Sequence, residues 1–313
     1  MNQARTQQSV IWLGMRLAVP AEWEIVRHAV SPKQGGLSMI DRRDQRLQLS
    51  WRELRAAPDL GRMLDDYRSR DAELYPAGKV VGVENAGGWR ALRRSAEKGC
   101  LTRAVRYEPA YGRLIELVLP WPGGTAAPGG TVAPVAVEGG AGRYDERVER
   151  AILESFSMAA DPLGPQRWCA WGLDCTAPAG WPLGRAQVKP ADVSLVFQHE
   201  KERLTARRLG APDLWYHDRP EEFLEQELDG QPNEIQFMRH RGHQACHSKS
   251  QEKTQPYRRL AGLGLEREDL VWHCPLDHVV YQVTAHYRRR KPVSLRDLDV
   301  RCCASRVAEG QAA

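Results

Sequence analysis

No window of the 313-residue chain approaches the roughly 20 consecutive apolar residues that a membrane-spanning helix needs. The opening stretch MNQARTQQSVIWLG also lacks an apolar run of signal-peptide length, so the chain as written is expected in the cytoplasm, without membrane insertion. A dominant charge is missing too. Lys and Arg number 45 against 40 Asp and Glu, divided 23 against 19 up to residue 160 and 22 against 21 after it. Neither half has the basic excess that phosphate backbones select, and no nucleic-acid partner is expected. The densest basic run, RRRK at residues 288–291, follows an apolar strand-like stretch, where solvated charges commonly end a strand.

Catalytic signatures are absent as well. There is no Gly-x-Ser-x-Gly elbow, no His-Glu-x-x-His and no Cys-x-x-Cys, so neither an enzyme nor a cofactor is expected. A small-molecule ligand, which would need convergent polar groups, is not expected either. The Gly-rich stretch PWPGGTAAPGGTVAPVAVEGGAG, residues 120–142, lacks the Gly-Lys-Ser/Thr that grips phosphate and Mg²⁺, and its prolines remove backbone donors. It reads as a flexible insertion. The seven cysteines, an odd count that includes the adjacent Cys302 and Cys303, form no disulfide framework and are expected as reduced thiols.

What is present is the composition of an ordinary folded protein, 42% hydrophobic and 27% charged with ten Trp, at a length that suits two domains. A repeat divides it. VPAEW, ending at Trp23, returns as APAGW, ending at Trp181, and pairing Ile11 to Ile25 with Cys169 to Leu183 matches Gly14 with Gly172, Pro20 with Pro178, Ala21 with Ala179 and Trp23 with Trp181. Each copy therefore opens as a strand stopped by a proline, with a tryptophan folding back to pack on the sheet. A hairpin pattern follows in each. Next comes a helix: Leu60, Met63, Leu64 and Tyr67 fall at i, i+3, i+4 and i+7, and in the second copy Phe223, Leu224 and Leu228 form the stripe, with Pro220 in the first turn and Asp218 as N-cap three before Glu221. A strand pair then matches Gly88 with Gly242, Ala91 with Ala245 and Pro109 with Pro275. A terminal helix closes each copy, carrying Val148, Ile152, Ser155 and Phe156 in the first and Leu295, Leu298 and Cys302, behind a Ser294–Asp297 capping box, in the second. The insertion EKTQPYRRLAGLGLERED belongs to the second copy alone.

This order of elements, with Pro20, Trp23, Leu153, Ser155 and Phe156 in the first copy and Pro178 and Trp181 in the second, resembles the Mog1/PsbP-like superfamily, including its DUF1795/DcrB-like members. The second copy departs from the pattern at its end, VRCCASRV. The resemblance implies an α+β fold of two repeated domains, residues 1–160 and 166–313, each an antiparallel sheet flanked by helices in an α/β/α sandwich. It also implies binding more than catalysis, its members being mostly assembly factors, regulators and secretion chaperones. The expected function is a non-enzymatic protein-binding or assembly factor that grips a protein or peptide across both domains, with Trp89 and Trp121 as candidate contacts. A chaperone or adaptor for secreted effectors is one alternative, and a metal- or ligand-binding regulator using histidine and cysteine of the second domain is another.

That last alternative rests on HRGHQACH, with His240, His243, Cys246 and His247, and on WHCPLDH, with His273, Cys274 and His278. Imidazole and thiolate suit zinc, and His243, His247, His273 and Cys274 are the candidate ligands. Strand alternation, however, sets His243 and His247 on the face opposite Cys246. The first-copy counterparts are Trp89, Arg93 and Tyr107, bulky side chains that need no metal. Solvent-facing histidines and packed cysteines, without stoichiometric zinc, are therefore the favoured expectation.

Overall fold

The computed structural model describes residues 7–74, 78–83, 87–96, 99–122, 144–216, 219–227, 234–251 and 265–303. Asp218, Leu228, most of the Gly/Pro insertion and most of the second-copy insertion lie outside these residues. The chain divides into two compact units, Met1–Pro162 and Leu163–Ala313.

In the first unit, β1 (Gln7–Trp12) and β2 (Met15–Pro20) form a hairpin whose two-residue turn puts both Leu13 and Gly14 at positive φ, 52° and 79°. Such turns match the twist of antiparallel strands. Then follow β3 (Glu24–His28), β4 (Gln34–Ile40), β5 (Gln45–Glu53), helix α1 (Leu60–Leu74), β6 (Lys79–Val83), β7 (Arg90–Ala96), β8 (Gly99–Glu108), β9 (Arg113–Pro122), helix α2 (Glu146–Ser155) and β10 (Ser157–Met158). Seven of these strands build one antiparallel sheet in the order β3-β4-β5-β9-β8-β7-β6, and β10 pairs with β2.

The second unit repeats this plan. It runs β11 (Gln166–Ala170), β12 (Leu173–Ala177), β13 (Leu183–Lys189), β14 (Asp192–His199), β15 (Glu202–Leu209), α3 (Pro220–Glu227), β16 (Glu234–His240), β17 (His243–Gln251), β18 (Leu265–Cys274), β19 (Val279–Arg288) and β20 (Asp299–Arg301). Its sheet has the same order, β13-β14-β15-β19-β18-β17-β16, and β20 pairs with β12 as β10 does with β2. The opening hairpin again turns through two positive-φ residues, Trp171 and Gly172. The Pro–Trp openings are one β-turn made twice: the Trp23 amide donates to Pro20 O at 3.1 Å and the Trp181 amide to Pro178 O at 3.2 Å. Trp23 is buried, whereas Trp181 is half-buried beside His199.

Alternation explains the strands. Val193, Leu195 and Phe197 of β14, and Leu47, Leu49 and Trp51 of β5, point inward while the residues between them stay more exposed. The stripe of α1, Leu60, Met63, Leu64 and Tyr67, packs on Leu92 and Val105. In the second unit Phe223 and Leu224 of α3 pack on Leu209, Tyr216, Cys246, Val271 and Val280.

The expected α+β sandwich with helix-flanked sheets is corrected by these elements. Strand accounts for 56% of the described residues and helix for 17%, and the elements α1, α2 and α3 are outnumbered by twenty strands among those residues, so the architecture is mostly β. The largest difference is at the end of the second unit. Leu295, Leu298 and Cys302 fit a helical spacing, but Leu298, Val300 and Cys302 also alternate with Asp299 and Arg301, and the alternation prevails. The Ser294–Asp297 capping box does form, around a single 3-10 turn, Leu295–Asp297, after which the chain extends as β20. No helix among the described residues is long and apolar enough to cross a membrane.

Candidate metal centre

Three segments of the second unit converge at one end of its sheet. The β16–β17 hairpin turns through Arg241 and Gly242, both at positive φ, and makes His243 the first residue of β17. Strand β17 pairs with β18 up to Ala245 opposite Trp272, so His243, two residues further out, lies level with Cys274 at the end of β18. The third segment is the chain leaving β20, which carries Cys302 and Cys303.

One nitrogen of His243 and the sulfurs of Cys274, Cys302 and Cys303 all lie within 4.8 Å of one another. Cys303 Sγ is 3.2 Å from Cys274 Sγ and 3.5 Å from His243 Nε2. A tetrahedral ion with metal–sulfur bonds of about 2.3 Å separates its donors by about 3.8 Å, so these spacings need only small side-chain adjustments to close around it. Cys274 and Cys302 are fully buried, while His243 and Cys303 are partly buried. All seven cysteines are free thiols. Burial, followed by the hydrogen bond from Cys274, pushes the Cys303 thiol up.

The surroundings hold the third segment in place. Asp277, in the turn between β18 and β19, accepts from the Cys303 amide at 3.0 Å and from the Tyr281 hydroxyl at 3.1 Å through the same oxygen. Tyr281 is itself buried and stacked with Trp272, ring centroids 5.4 Å apart. Such outer contacts are what orient a metal's ligands.

Of the four ligands suggested by the sequence, His243 and Cys274 belong to the cluster and two do not. His247 sits further along β17, with Nε2 3.9 Å from Glu268. His273 points to the opposite sheet face, 5.3 Å from the Tyr216 ring, and Cys246 lies on that face in the α3 core, its thiol pushed up to about 11 mainly by burial. The turn takes in His278 with φ of 50°. His240 packs its ring 4.6 Å from Trp272, and burial, then the charge of Arg241, pushes its pKa down to about 4. Cys302 and Cys303 were missed as ligands because the helical reading packed Cys302 in an apolar stripe; the period-two pattern of residues 298–302 signals the strand, but the turn of the chain after Arg301 that brings both cysteines to the cluster has no signal in the sequence.

Trp89 and Trp121, the candidate partner contacts, are both buried in the first unit. Trp89 Nε1 donates to Leu153 O at 3.1 Å and the ring meets Phe156 edge-on, while Trp121 packs against Trp23 and Tyr144. Both side chains are packed inside the first unit. No family model matches the chain, and no curated protein matches it in sequence.

Proposed function

We propose that the chain is a metal-binding protein whose second unit holds one zinc-class ion through His243, Cys274, Cys302 and Cys303. The observation that carries this reading is the convergence of four donors, one imidazole and three thiols, from three separate chain segments. Three thiols and an imidazole form one of the standard donor sets of structural zinc, and four protein ligands leave no open position for water or substrate. The ion's role is therefore to staple the β16–β17 hairpin, the end of β18 and the chain after β20 together, a non-catalytic role. Binding energy at such a site is folding energy, since the unfolded chain cannot gather the ligands.

Elemental mass spectrometry of protein purified without chelator tests this. The expected result is about one zinc per chain, with the ion lost in the Cys274→Ser/Cys303→Ser variant. A folded protein that holds no metal and takes up none from added zinc overturns the reading. So does a Cys274–Cys303 disulfide in freshly purified, reductant-free protein.

A further inference from the structure

The first unit closes the corresponding corner of its fold without thiols. The last pairs of β8 with β9 and of β18 with β19, Glu108 with Arg113 and Cys274 with Val279, bound turns of equal length, so Tyr111 of the first turn corresponds to Asp277 of the second. With Gly14 matched to Gly172, the pair Ser157–Arg16 coincides with Arg301–Asp174, and Ala159 corresponds to Cys303. Both turns hold that residue. The Tyr111 hydroxyl donates to Ala159 O at 2.5 Å, and Asp277 accepts from the Cys303 amide at 3.0 Å. A hydrogen bond from the turn thus ties down the chain after the last strand in either unit. The second unit alone adds thiols to that closure, with Cys274 where the first has Glu108 and Cys303 where it has Ala159.

Those thiols are placed for chemistry of their own. The sulfurs of Cys274 and Cys303 are 3.2 Å apart, and Cys303 is the least buried of the three clustered cysteines. Cys302 is the poorer partner for Cys303, because neighbouring Cα atoms lie about 3.8 Å apart across a trans peptide, short of the roughly 4.4–6.8 Å that a disulfide spans. Coordination to zinc holds a cysteine as its thiolate, which is also the form that attacks an oxidant.

We infer that the cluster is also a modification site for hydroperoxides, one peroxide joining Cys274 to Cys303 as a disulfide and expelling the ion; this rests on the metal reading above. The Cys303 thiolate attacks one peroxide oxygen, the O–O bond breaks, and the other oxygen leaves as water after taking a proton from solvent. The Cys274 thiolate then attacks the sulfenic sulfur so formed, the S–O bond breaks, and the second oxygen leaves as water with a second solvent proton. Two electrons pass from the sulfur pair to the peroxide. His243 and Cys302 remain as donors, two where a structural zinc site uses four, so the ion departs. The end of β18 and the chain after β20 stay joined, now covalently, while the β16–β17 hairpin loses the hold that His243 gave it. The same corner of the first unit, closed by Tyr111 and Ala159, has no cysteine to respond.

The test treats the full-length protein, purified with its zinc, with hydrogen peroxide; zinc release is read with a chromogenic chelator and the thiols by peptide mass spectrometry. The expected result is about one ion released per disulfide formed, a chain lighter by two hydrogens and a linked peptide containing Cys274 and Cys303, with dithiothreitol and added zinc restoring the starting state. Cys169→Ser is expected to behave as the parent, and Cys302→Ser to form the same disulfide. Protein that holds zinc and keeps it in excess peroxide overturns this inference and leaves the metal reading standing. So does release that accompanies a disulfide to Cys302 or a sulfinic acid in place of the Cys274–Cys303 bond. Protein that holds no zinc and takes up none overturns the metal reading, and this inference with it.

Discussion

Replacing Glu149 by alanine probes the device that seats α2. The carboxylate is 1% exposed, receives Arg93 at 2.7 Å and accepts from the Tyr144 hydroxyl at 2.6 Å. Burial, then the hydrogen bond to Glu149, pushes the Tyr144 pKa up, so the hydroxyl remains a donor. Removing the carboxylate leaves a guanidinium that is only 17% exposed with the more distant, exposed Glu146 at 3.9 Å, and a phenol without its acceptor. Breaking one side of a buried ion pair costs about 3–5 kcal/mol, and the partial exposure of Arg93 argues for the lower end, about 3 kcal/mol. For a unit of this size each kcal/mol moves the melting point by about 2–4 °C, so the first-unit transition is expected to fall by about 6–12 °C in calorimetry. Glu149 Oε1 and Arg93 Nε have no hydrogen-bond partner among the described residues, so the pair leaves part of its desolvation uncompensated. The Arg93→Met/Glu149→Met variant is therefore expected within about 1 kcal/mol of the parent. A loss below about 1 kcal/mol for Glu149→Ala, or a double variant as unstable as the single one, would refute the argument.

Leu224→Ala removes a fully buried side chain from the α3 core and is expected to cost about 2–5 kcal/mol, read as a drop in the second-unit transition during denaturant unfolding with the first unchanged. Gly87→Ala asks for a Cβ at φ of 58° and 2.8 Å from Leu153 O; about 1–3 kcal/mol of destabilisation is expected by thermal melting, and a neutral result would mean α2 is not held this closely. Chelator is expected to lower the melting transition of the second unit alone, because all four proposed ligands lie within it.

The parts of the fold legible in the sequence were those set by local rules. The Pro20–Trp23 and Pro178–Trp181 turns are short-range geometry, and the α1 stripe is a clean 3.6-residue period, so both can be read without knowing the neighbours. Residues 295–302 satisfy two periods at once, and only pairing with β12 decides for the strand. That choice in turn hid the candidate site. Alternation rightly separated Cys246 from His243 and His247, and it separates His273 from Cys274 as well. What it could not supply was the third segment, since Cys303 is 60 residues from His243 in the chain and is brought to it by tertiary structure alone. The balance of strand over helix was likewise hidden, because the apolar positions of a short terminal helix and of a short edge strand overlap.

Cobalt(II) substitution tests the central claim most directly, because its spectrum reports both geometry and sulfur ligation at the bound ion. The account predicts a tetrahedral spectrum with thiolate charge-transfer intensity that drops for each of Cys274→Ser, Cys302→Ser and Cys303→Ser and is unchanged in Cys169→Ser, a cysteine outside the cluster. A weak octahedral spectrum, or a tetrahedral one indifferent to those three substitutions, would contradict it.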